Sequence, residues 1–449
     1  MLDASLSSEY LPILTAMILR DPVHGLVSFE APELSIVVEL LQCPEVQRLR
    51  RIRQLGLTSF AYPGADHTRF AHAVGSAHVM TRFIARLQSL HEQLPYWQRI
   101  TTERARDAVA AALLHDIGHG PFSHLFEEAL PAGPEHEVWT TRIVLDPSTQ
   151  VHQVLSRHDS ALPGRVADLI MGNHPLQFLA HTVSGMFDVD RCDYLLRDAH
   201  ATGVTYGSFD LDWLLRSLRL GVADSPDTSP PLAIDGDKGL PAIESFVLAR
   251  LFMFQQVYFH KASRAAEWML TRILGRLRTL LHGGQHVPAV PVALSSLLRT
   301  GDAALADYLA LDDYNLWGGI AAWSQHKDPI LSDICSRLYS RKLFKTYELF
   351  GPGRSPEAYD VLLNIARELA QEKGLDPDIY VGLDHAADVP FEDDKDSLRV
   401  IFPNGVSQTP ADVSFVLRRL RGERLERTRL IFPAEIRAEF IGKASEQCL

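Results

Sequence analysis

Residues 113–124 read LLHDIGHGPFSH. An apolar helix face runs into an adjacent imidazole and carboxylate, His115 and Asp116, and the chain then turns through glycines. Where a helix ends, neighbouring side chains can converge, so this pair can reach one divalent cation. Two ligands do not hold an ion, and the chain offers two more in comparable settings. His72 lies in TRFAH (68–72), three residues after Arg69 and therefore on the same helix face. Asp190 lies in FDVDRCDY (187–194). Two imidazoles and two carboxylates make a mixed nitrogen and oxygen set suited to Mn, Mg, Fe, Co, Ni or Zn. Coordination positions would remain for water or phosphate. An isolated His-Asp pair is also what a helix C-terminus carries for its dipole. That alternative loses ground once His119, His124, His136-Glu137 and the run DRCDY (190–194) are read with it. Burying so many ionisable groups on otherwise apolar helices is costly unless they are paired or ligate a metal.

The elements that must position these residues are helical. Apolar residues recur at helical spacing from Pro32 to Gly56, with a break at Pro44. A loop at 62–66 (YPGAD) precedes a long helix over about 68–90, and a second runs over about 102–116 and stops at the glycines. Helical periodicity continues to about residue 200. Residues 221–241 form a Pro/Gly/Ser/Asp-rich loop with room for one short hairpin, and helices resume over 242–281 and 293–343. The last hundred residues differ: a helix over 356–373, then the β-like runs DIYVGLD, SLRVIF and RTRLIF, split by turns and a helix-like SFVLRRLR. The expected fold is mainly α, a helical body with a smaller α+β C-terminal lobe. The expected units are 1–220 for the catalytic core, 221–350 for a helical extension completing the pocket, and 351–449 for the lobe.

Composition narrows the class. The 449 residues carry 44 Lys+Arg against 56 Asp+Glu, a formal charge of −12, which argues against a general nucleic-acid backbone binder. Four cysteines (Cys43, Cys192, Cys335, Cys448) without a close pair speak against a disulfide framework or a cysteine zinc site. The start, MLDASLSSEYLPILTAMILRD, has a helix-like run but no basic leader, and no long apolar stretch follows, so a cytoplasmic protein is expected.

The order H…HD…D with these flanks resembles the HD superfamily of metal-dependent phosphohydrolases. The match is closer to the deoxynucleoside triphosphate triphosphohydrolases related to the vertebrate enzyme with a sterile-alpha-motif domain. It rests on DPVHG (21–25), QRLRRIRQLG (47–56), FAYPGADHTRFAHAVG (60–75), LLHDIGHGPFSH (113–124), HE (136–137), MFDVDRCDYLLRDA (186–199), VYFHK (257–261) and DPILSDICSRLYSRKLFK (328–345). The resemblance implies hydrolysis of dNTPs to deoxynucleoside and triphosphate. It makes His72, His115, Asp116 and Asp190 the ligands of one divalent metal per subunit, with further Mg able to arrive with the nucleotide. Arg69 would approach the phosphates, and His119, His136 and Glu137 would line the catalytic pocket, with Glu127 orienting a histidine. His119 or His136 would protonate the departing 5′-oxygen, with His119 the favoured acid. Arg191, Tyr194 and Arg250 would touch the triphosphate, and Lys261 could add charge. Gln54 and Asp198 would hold the 3′-hydroxyl, and Tyr258 would pack under the sugar.

The family also implies a homo-oligomer, a tetramer or dimer, switched on by a nucleotide between subunits. Gln47 and Arg50 match that activator site. Gln42 replaces an acid that reads guanine, and Met17 and Arg20 replace a lysine and an asparagine, so a deoxynucleotide activator or none becomes an option. Two rivals stand beside this reading. One is another HD phosphohydrolase activity: a nucleotide phosphodiesterase, a 5′-nucleotidase or a ppGpp hydrolase. The other is a nucleotide sensor or nucleic-acid binder resting on Arg418, Arg419, Arg421, Arg424, Arg427 and Arg429, a run that a solvated helix face and strand also explains.

Overall fold

Asp21 opens the structure's first turn: its Oδ1 accepts from the backbone N–H groups of Val23 and His24, at 2.8 and 2.9 Å. Gly25, at φ +77°, closes that turn and joins the antiparallel strands β1 (Ile18–Asp21) and β2 (Gly25–Ser28). The computed structural model describes residues 17–446, apart from 131, 184, 224, 226–227, 350–354 and 393–397. The helix-like N-terminal run and Cys448 lie outside the described residues.

Short helices α1 (Ser35–Gln42) and α2 (Pro44–Arg48) flank the break at Pro44. Then come α3 (Arg69–Gln88), α4 (Thr102–Leu114), α5 (His124–Glu128), α6 (His136–Leu145), α7 (Gln150–His158), α8 (Leu162–Ile170), α9 (Gln177–Val183) and α10 (Val189–Thr202). After α11 (Leu211–Ser217), strands β3 (Leu218–Leu220) and β4 (Leu232–Asp235) pair antiparallel around the expected loop. The expected helix over 242–281 is two helices, α12 (Leu240–Met253) and α13 (Lys261–His282). Between them Phe254–Tyr258 forms a π-turn, an irregularity common at functional sites, which shifts the register and points Tyr258 inward. Helices α14 (Val292–Thr300), α15 (Leu305–Leu309), α16 (Asp313–Trp323) and α17 (Pro329–Tyr339) complete the helical body.

The last hundred residues are stitched into their neighbours. Following β5 (Lys345–Glu348) are α18 (Pro356–Glu372), α19 (Pro377–Tyr380), β6 (Gly382–Asp388), β7 (Arg399–Ile401) and β8 (Ser407–Gln408). The chain then adds α20 (Pro410–Val413), α21 (Phe415–Leu420), β9 (Leu425–Phe432) and α22 (Arg437–Glu446). One sheet has the order β5-β9-β6. In the other, β3-β4-β7-β8, strand β7 runs parallel to β4 of the helical body, with Ile234 opposite Val400. The run DIYVGLD divides, because Pro377 starts a helical turn through Tyr380 and only Gly382 onward pairs in the sheet.

Burial explains the arrangement. The main core draws on α3, α4, α8 and α10, with Ala73, Ala77, Ala108, Ala111 and Leu195 fully or almost fully buried. Small residues on α3 and α4 let the two backbones approach. Phe391, Leu398, Val400 and Leu417 join the same core from the far end of the chain. A second core surrounds α13, α16 and α17, and a third lies beneath α18 and α22. No helix among the described residues is long and apolar enough to cross a membrane.

Candidate metal centre and nucleotide pocket

Three helices aim their side chains at one point. His72 sits in the first turn of α3, His115 and Asp116 just beyond the end of α4, and Asp190 in the first turn of α10. Asp188 caps α10 by accepting from the Arg191 N–H at 2.8 Å, which fixes where Asp190 falls. The His72 Nε2 lies 3.3 Å from His115 Nε2, 3.4 Å from Asp116 Oδ2 and 3.0 Å from Asp190 Oδ1. His115 Nε2 lies 3.5 Å from Asp116 Oδ1 and 3.4 Å from Asp190 Oδ1. Two ligand atoms each about 2.1 Å from one ion are about 3.0 Å apart at a right angle and about 3.4 Å at a tetrahedral angle. The cluster therefore fits a divalent cation.

The surrounding bonds prepare both rings for that role. His72 Nδ1–H donates to Asp193 Oδ2 at 2.8 Å and His115 Nδ1–H donates to the Ala112 carbonyl at 2.9 Å, leaving each Nε2 lone pair facing the cluster. Asp193 is itself held: Arg197 donates from Nε and Nη2 at 2.8 and 2.9 Å, and His24 Nε2 lies 2.6 Å from Oδ1. Arg197 Nη1 reaches on to Asp21 Oδ2 at 2.8 Å. The first turn of the chain thus braces the metal ligand His72 through two buried residues that sequence reasoning did not single out, Asp193 and Arg197. Their signal was present in DPVHG and in the spacing of Asp193 and Arg197, four apart on one helix.

The electrostatics agree. Burial alone would lower the His72 pKa, but bonds to Asp190 and Asp193 raise it to about 10. Burial raises Asp116, yet Arg69, His115 and His119 hold it well below the usual carboxylate range. Asp190 is likewise lowered, by His115 and His72 against its burial. So much negative charge around two imidazoles is a field that a cation satisfies.

Strained backbone presents the neighbouring groups. Phe122 and Ser123 have φ of +58° and +63°, rare for residues with a Cβ. The Phe122 N–H donates to Asp313 Oδ1 at 2.8 Å, and Ser123 Oγ donates to the Arg53 carbonyl at 2.8 Å, which pins both. Arg69 Nε donates to Ser123 Oγ at 2.7 Å, and its Nη1 pairs with Asp116. Asp66, close to Arg69 in sequence, pairs with Arg53 at 3.3 Å. Gly118 has no room for a Cβ against the His136 carbonyl and Thr140, whose Oγ1 accepts from the Gly118 N–H and donates to the His115 carbonyl.

A cavity of about 570 Å³ opens on this cluster, within the range of small-molecule sites. His115, Asp116, Asp190, Arg69, Arg191 and Tyr194 line it, as do Gln54, Asp198 and Tyr258. The last three form a floor in which His67 Nε2 lies 2.7 Å from Asp198 Oδ1 and Tyr258 OH donates to Asp198 Oδ2 at 2.8 Å, while Gln54 Oε1 is buried with no partner among the described residues. His136 and Glu137 line the wall; His136 Nδ1 lies 3.1 Å from Glu127 Oε2 and 3.2 Å from Glu137 Oε2. His119 lies behind that wall, fully buried and stacked on His136 at 3.8 Å. Its nitrogens stand 3.2 Å from Asp116 and Glu127 without hydrogen-bond alignment. Burial, with Arg69 nearby, lowers His119 to about 4. His124 has a largely exposed side chain and faces the cavity.

Two expected phosphate contacts stand apart. Arg250 is not on the cavity wall: it donates to the carbonyls of Val389 and Pro390, at 3.0 and 2.7 Å, and to Asp388 Oδ1 at 3.0 Å. Lys261 is exposed at the start of α13 and is not part of the lining. Gln47 and Arg50 meet each other, Arg50 Nε donating to Gln47 Oε1 at 2.8 Å. The C-terminal arginines disperse: Arg429 is buried against Glu348 at 2.5 Å, and Arg424 pairs with Glu426 at 3.0 Å.

This site and fold define an HD-domain protein. The HD domain family matches residues 69–196, and an HD associated region matches 210–283. The chain belongs to the HD-domain superfamily of metal-dependent phosphohydrolases. It is 33% identical over 426 residues to the uncharacterised protein YwfO of Bacillus subtilis, covering 93% of this chain and 92% of that one. It is 25% identical over 399 residues to the deoxynucleoside triphosphate triphosphohydrolase SAMHD1 of Danio rerio, covering 79% of this chain and 59% of that protein. The crystal structure of a phosphohydrolase from Bacteroides thetaiotaomicron superposes with a TM-score of 0.76 at 29% identity, covering 93% of this chain and 99% of the other.

Proposed function

We propose that the chain hydrolyses deoxynucleoside triphosphates to deoxynucleoside and inorganic triphosphate. The observation that carries this reading is that three members of the four-ligand cluster, His115, Asp116 and Asp190, line the same cavity as Gln54, Asp198 and Tyr258. A divalent metal held by His72, His115, Asp116 and Asp190 would supply Lewis acidity toward a phosphoryl oxygen and toward water. Arg69 and Arg191 give the wall the positive charge that a triphosphate needs in an acidic chain. Gln54 Oε1, which has no partner among the described residues, would accept from the 3′-hydroxyl, and the Tyr258 ring would pack under the sugar and disfavour a 2′-hydroxyl.

Water attacks the α-phosphorus and the bond to the 5′-oxygen breaks. His136 supplies the proton to that oxygen, because Glu127 orients its ring and it faces the cavity. His119, kept unprotonated, supports the stacked ring from behind without adding a second cation. A homo-oligomer with an activating nucleotide near Gln47 and Arg50 belongs to the same reading, and the exposed Arg50 is compatible with it.

The test is product analysis of the purified protein loaded with Mn, Mg, Fe or Co, given the four dNTPs and GTP singly and in pairs. Deoxynucleoside and intact triphosphate are expected, and both disappear in Asp116→Ala; the pairs read the need for an activator. A second reading has one observation in its favour: Arg250 is engaged by Asp388, which suits a substrate with fewer phosphates and another HD phosphohydrolase activity. Release of phosphate or pyrophosphate alone would select it.

A further inference from the structure

Part of the cavity wall is claimed neither by the metal cluster nor by the sugar floor. It includes Phe259, Arg264, Glu267 and Glu128. Phe259 directly follows Tyr258, and Arg264 and Glu267 share a face in the first two turns of α13, a rise of about 9 Å. Chain geometry thus carries the wall from the sugar floor outward over a distance on the scale of a nucleobase.

The charges here differ from those near the metal. Arg264 is ringed by three carboxylates: Nη1 donates to Glu267 Oε2 at 2.9 Å and Nη2 to Asp384 Oδ1 at 2.7 Å, with Glu128 Oε2 at 3.9 Å from Nη1, while Arg429 Nη1 stands 3.8 Å from Asp384 Oδ2, at the other end of the ion-pair chain from Glu267 and Glu128. Phosphate is repelled from such a surface. An uncharged group rich in N–H donors suits it. Glu267 Oε1 has no donor among the described residues, and the side chain, 18% exposed, opens on the cavity.

Resting on the nucleotide reading above, we propose that Glu267, positioned by Arg264, reads the base and favours bases with an exocyclic amino group over thymine. A carboxyl group accepts from the amino groups of adenine, cytosine and guanine, whereas thymine turns two carbonyls and a single N–H toward it. Burial lifts the Glu267 carboxyl to about 7 against the pull of Arg264, with Glu128 and Asp384 adding to the rise. The ionised carboxylate matches guanine's paired N–H groups, and the neutral acid, with a donor beside an acceptor, matches adenine and cytosine. Only the ionised form disfavours thymine, because the neutral acid's donor beside an acceptor also matches the thymine O4 and N3–H, so the preference is read above about pH 7.

The experiment compares the metal-loaded wild type with Glu267→Gln. kcat/KM is measured for dATP, dCTP, dGTP and dTTP, and the affinities of the four deoxynucleosides are measured by calorimetry. The wild type is expected to prefer the three amino-bearing bases. Glu267→Gln, whose amide pairs with the thymine N3–H and O4, is expected to raise thymine relative to guanine by about tenfold in both readouts. Equal handling of all four bases by the wild type, or an unchanged ratio in the variant, overturns the proposal. If no dNTP is hydrolysed, the triphosphohydrolase reading fails by itself, and deoxynucleoside binding still decides the role of Glu267.

Discussion

Gly75 offers a test in which local propensity and tertiary packing predict opposite signs. It lies inside α3, one turn after His72. In an exposed helix interior, replacing Gly by Ala stabilises by about 1 kcal/mol. A Cβ at Gly75, however, would fall well inside 3.0 Å of both Asp193 Oδ1 and Arg197 Nη2. Neither atom can swing away, since Asp193 is also bonded to His24 and His72, and Arg197 to Asp21. Both residues are buried, at 0% and 2% exposure, so water cannot replace a broken bond. Disrupting one partner of a buried ion pair costs about 3–5 kcal/mol. After the propensity gain, Gly75→Ala should lose about 2–4 kcal/mol in urea denaturation. Displacing Asp193 also loosens the Nδ1–H bond of His72, so divalent-metal affinity should fall about 10–100-fold in a chelator competition. Gly275→Ala is the control: it lies inside α13 with nothing within 4 Å of its Cβ position, and should be slightly stabilised. If Gly75→Ala matches that control and binds metal like wild type, the argument that His72 is braced through Asp193 is refuted.

Two further outcomes follow from the charges. Glu267 has its folded pKa raised to about 7 from an ordinary 4.5, so it binds more protons folded than unfolded between those values. Its contribution is then complete below about pH 4.5 and lost as pH rises through about 7, about 3 kcal/mol in all; Glu267→Gln should flatten stability across that window, and parallel profiles would contradict the shift. Asp388→Asn should release Arg250 from its ion pair and lower KM for a triphosphate substrate several-fold, an effect that Arg250→Ala on the same background removes; steady-state kinetics on the two variants check it.

Much of the site was legible because its chemistry is local. His115-Asp116 at a helix end, Arg69 and His72 three apart, and Asp190 beside an N-cap aspartate are patterns that helical geometry turns into convergent side chains wherever the helices form. The helical body followed from apolar periodicity, and α3, α4 and α18 lie within a few residues of their expected spans. What adjacency cannot encode was decided by packing. Periodicity runs through 242–281 without a break, because the π-turn at Phe254–Tyr258 changes register by a single residue and leaves the apolar pattern intact. The brace from Asp21 and His24 to Asp193 and Arg197 joins residues about 170 positions apart. Strand β7 carries no mark that its partner is β4 rather than a neighbour in its own lobe. The placement of Arg250 against Asp388, of His119 behind His136, and of Glu267 on the cavity wall depends on which helix faces meet. Residue types and short-range spacing thus determined the metal chemistry and the helices that deliver it. Only the tertiary structure decided which charged groups face the cavity and which neutralise one another, because long-range contacts set burial, and burial sets the cost of leaving a charge unpaired.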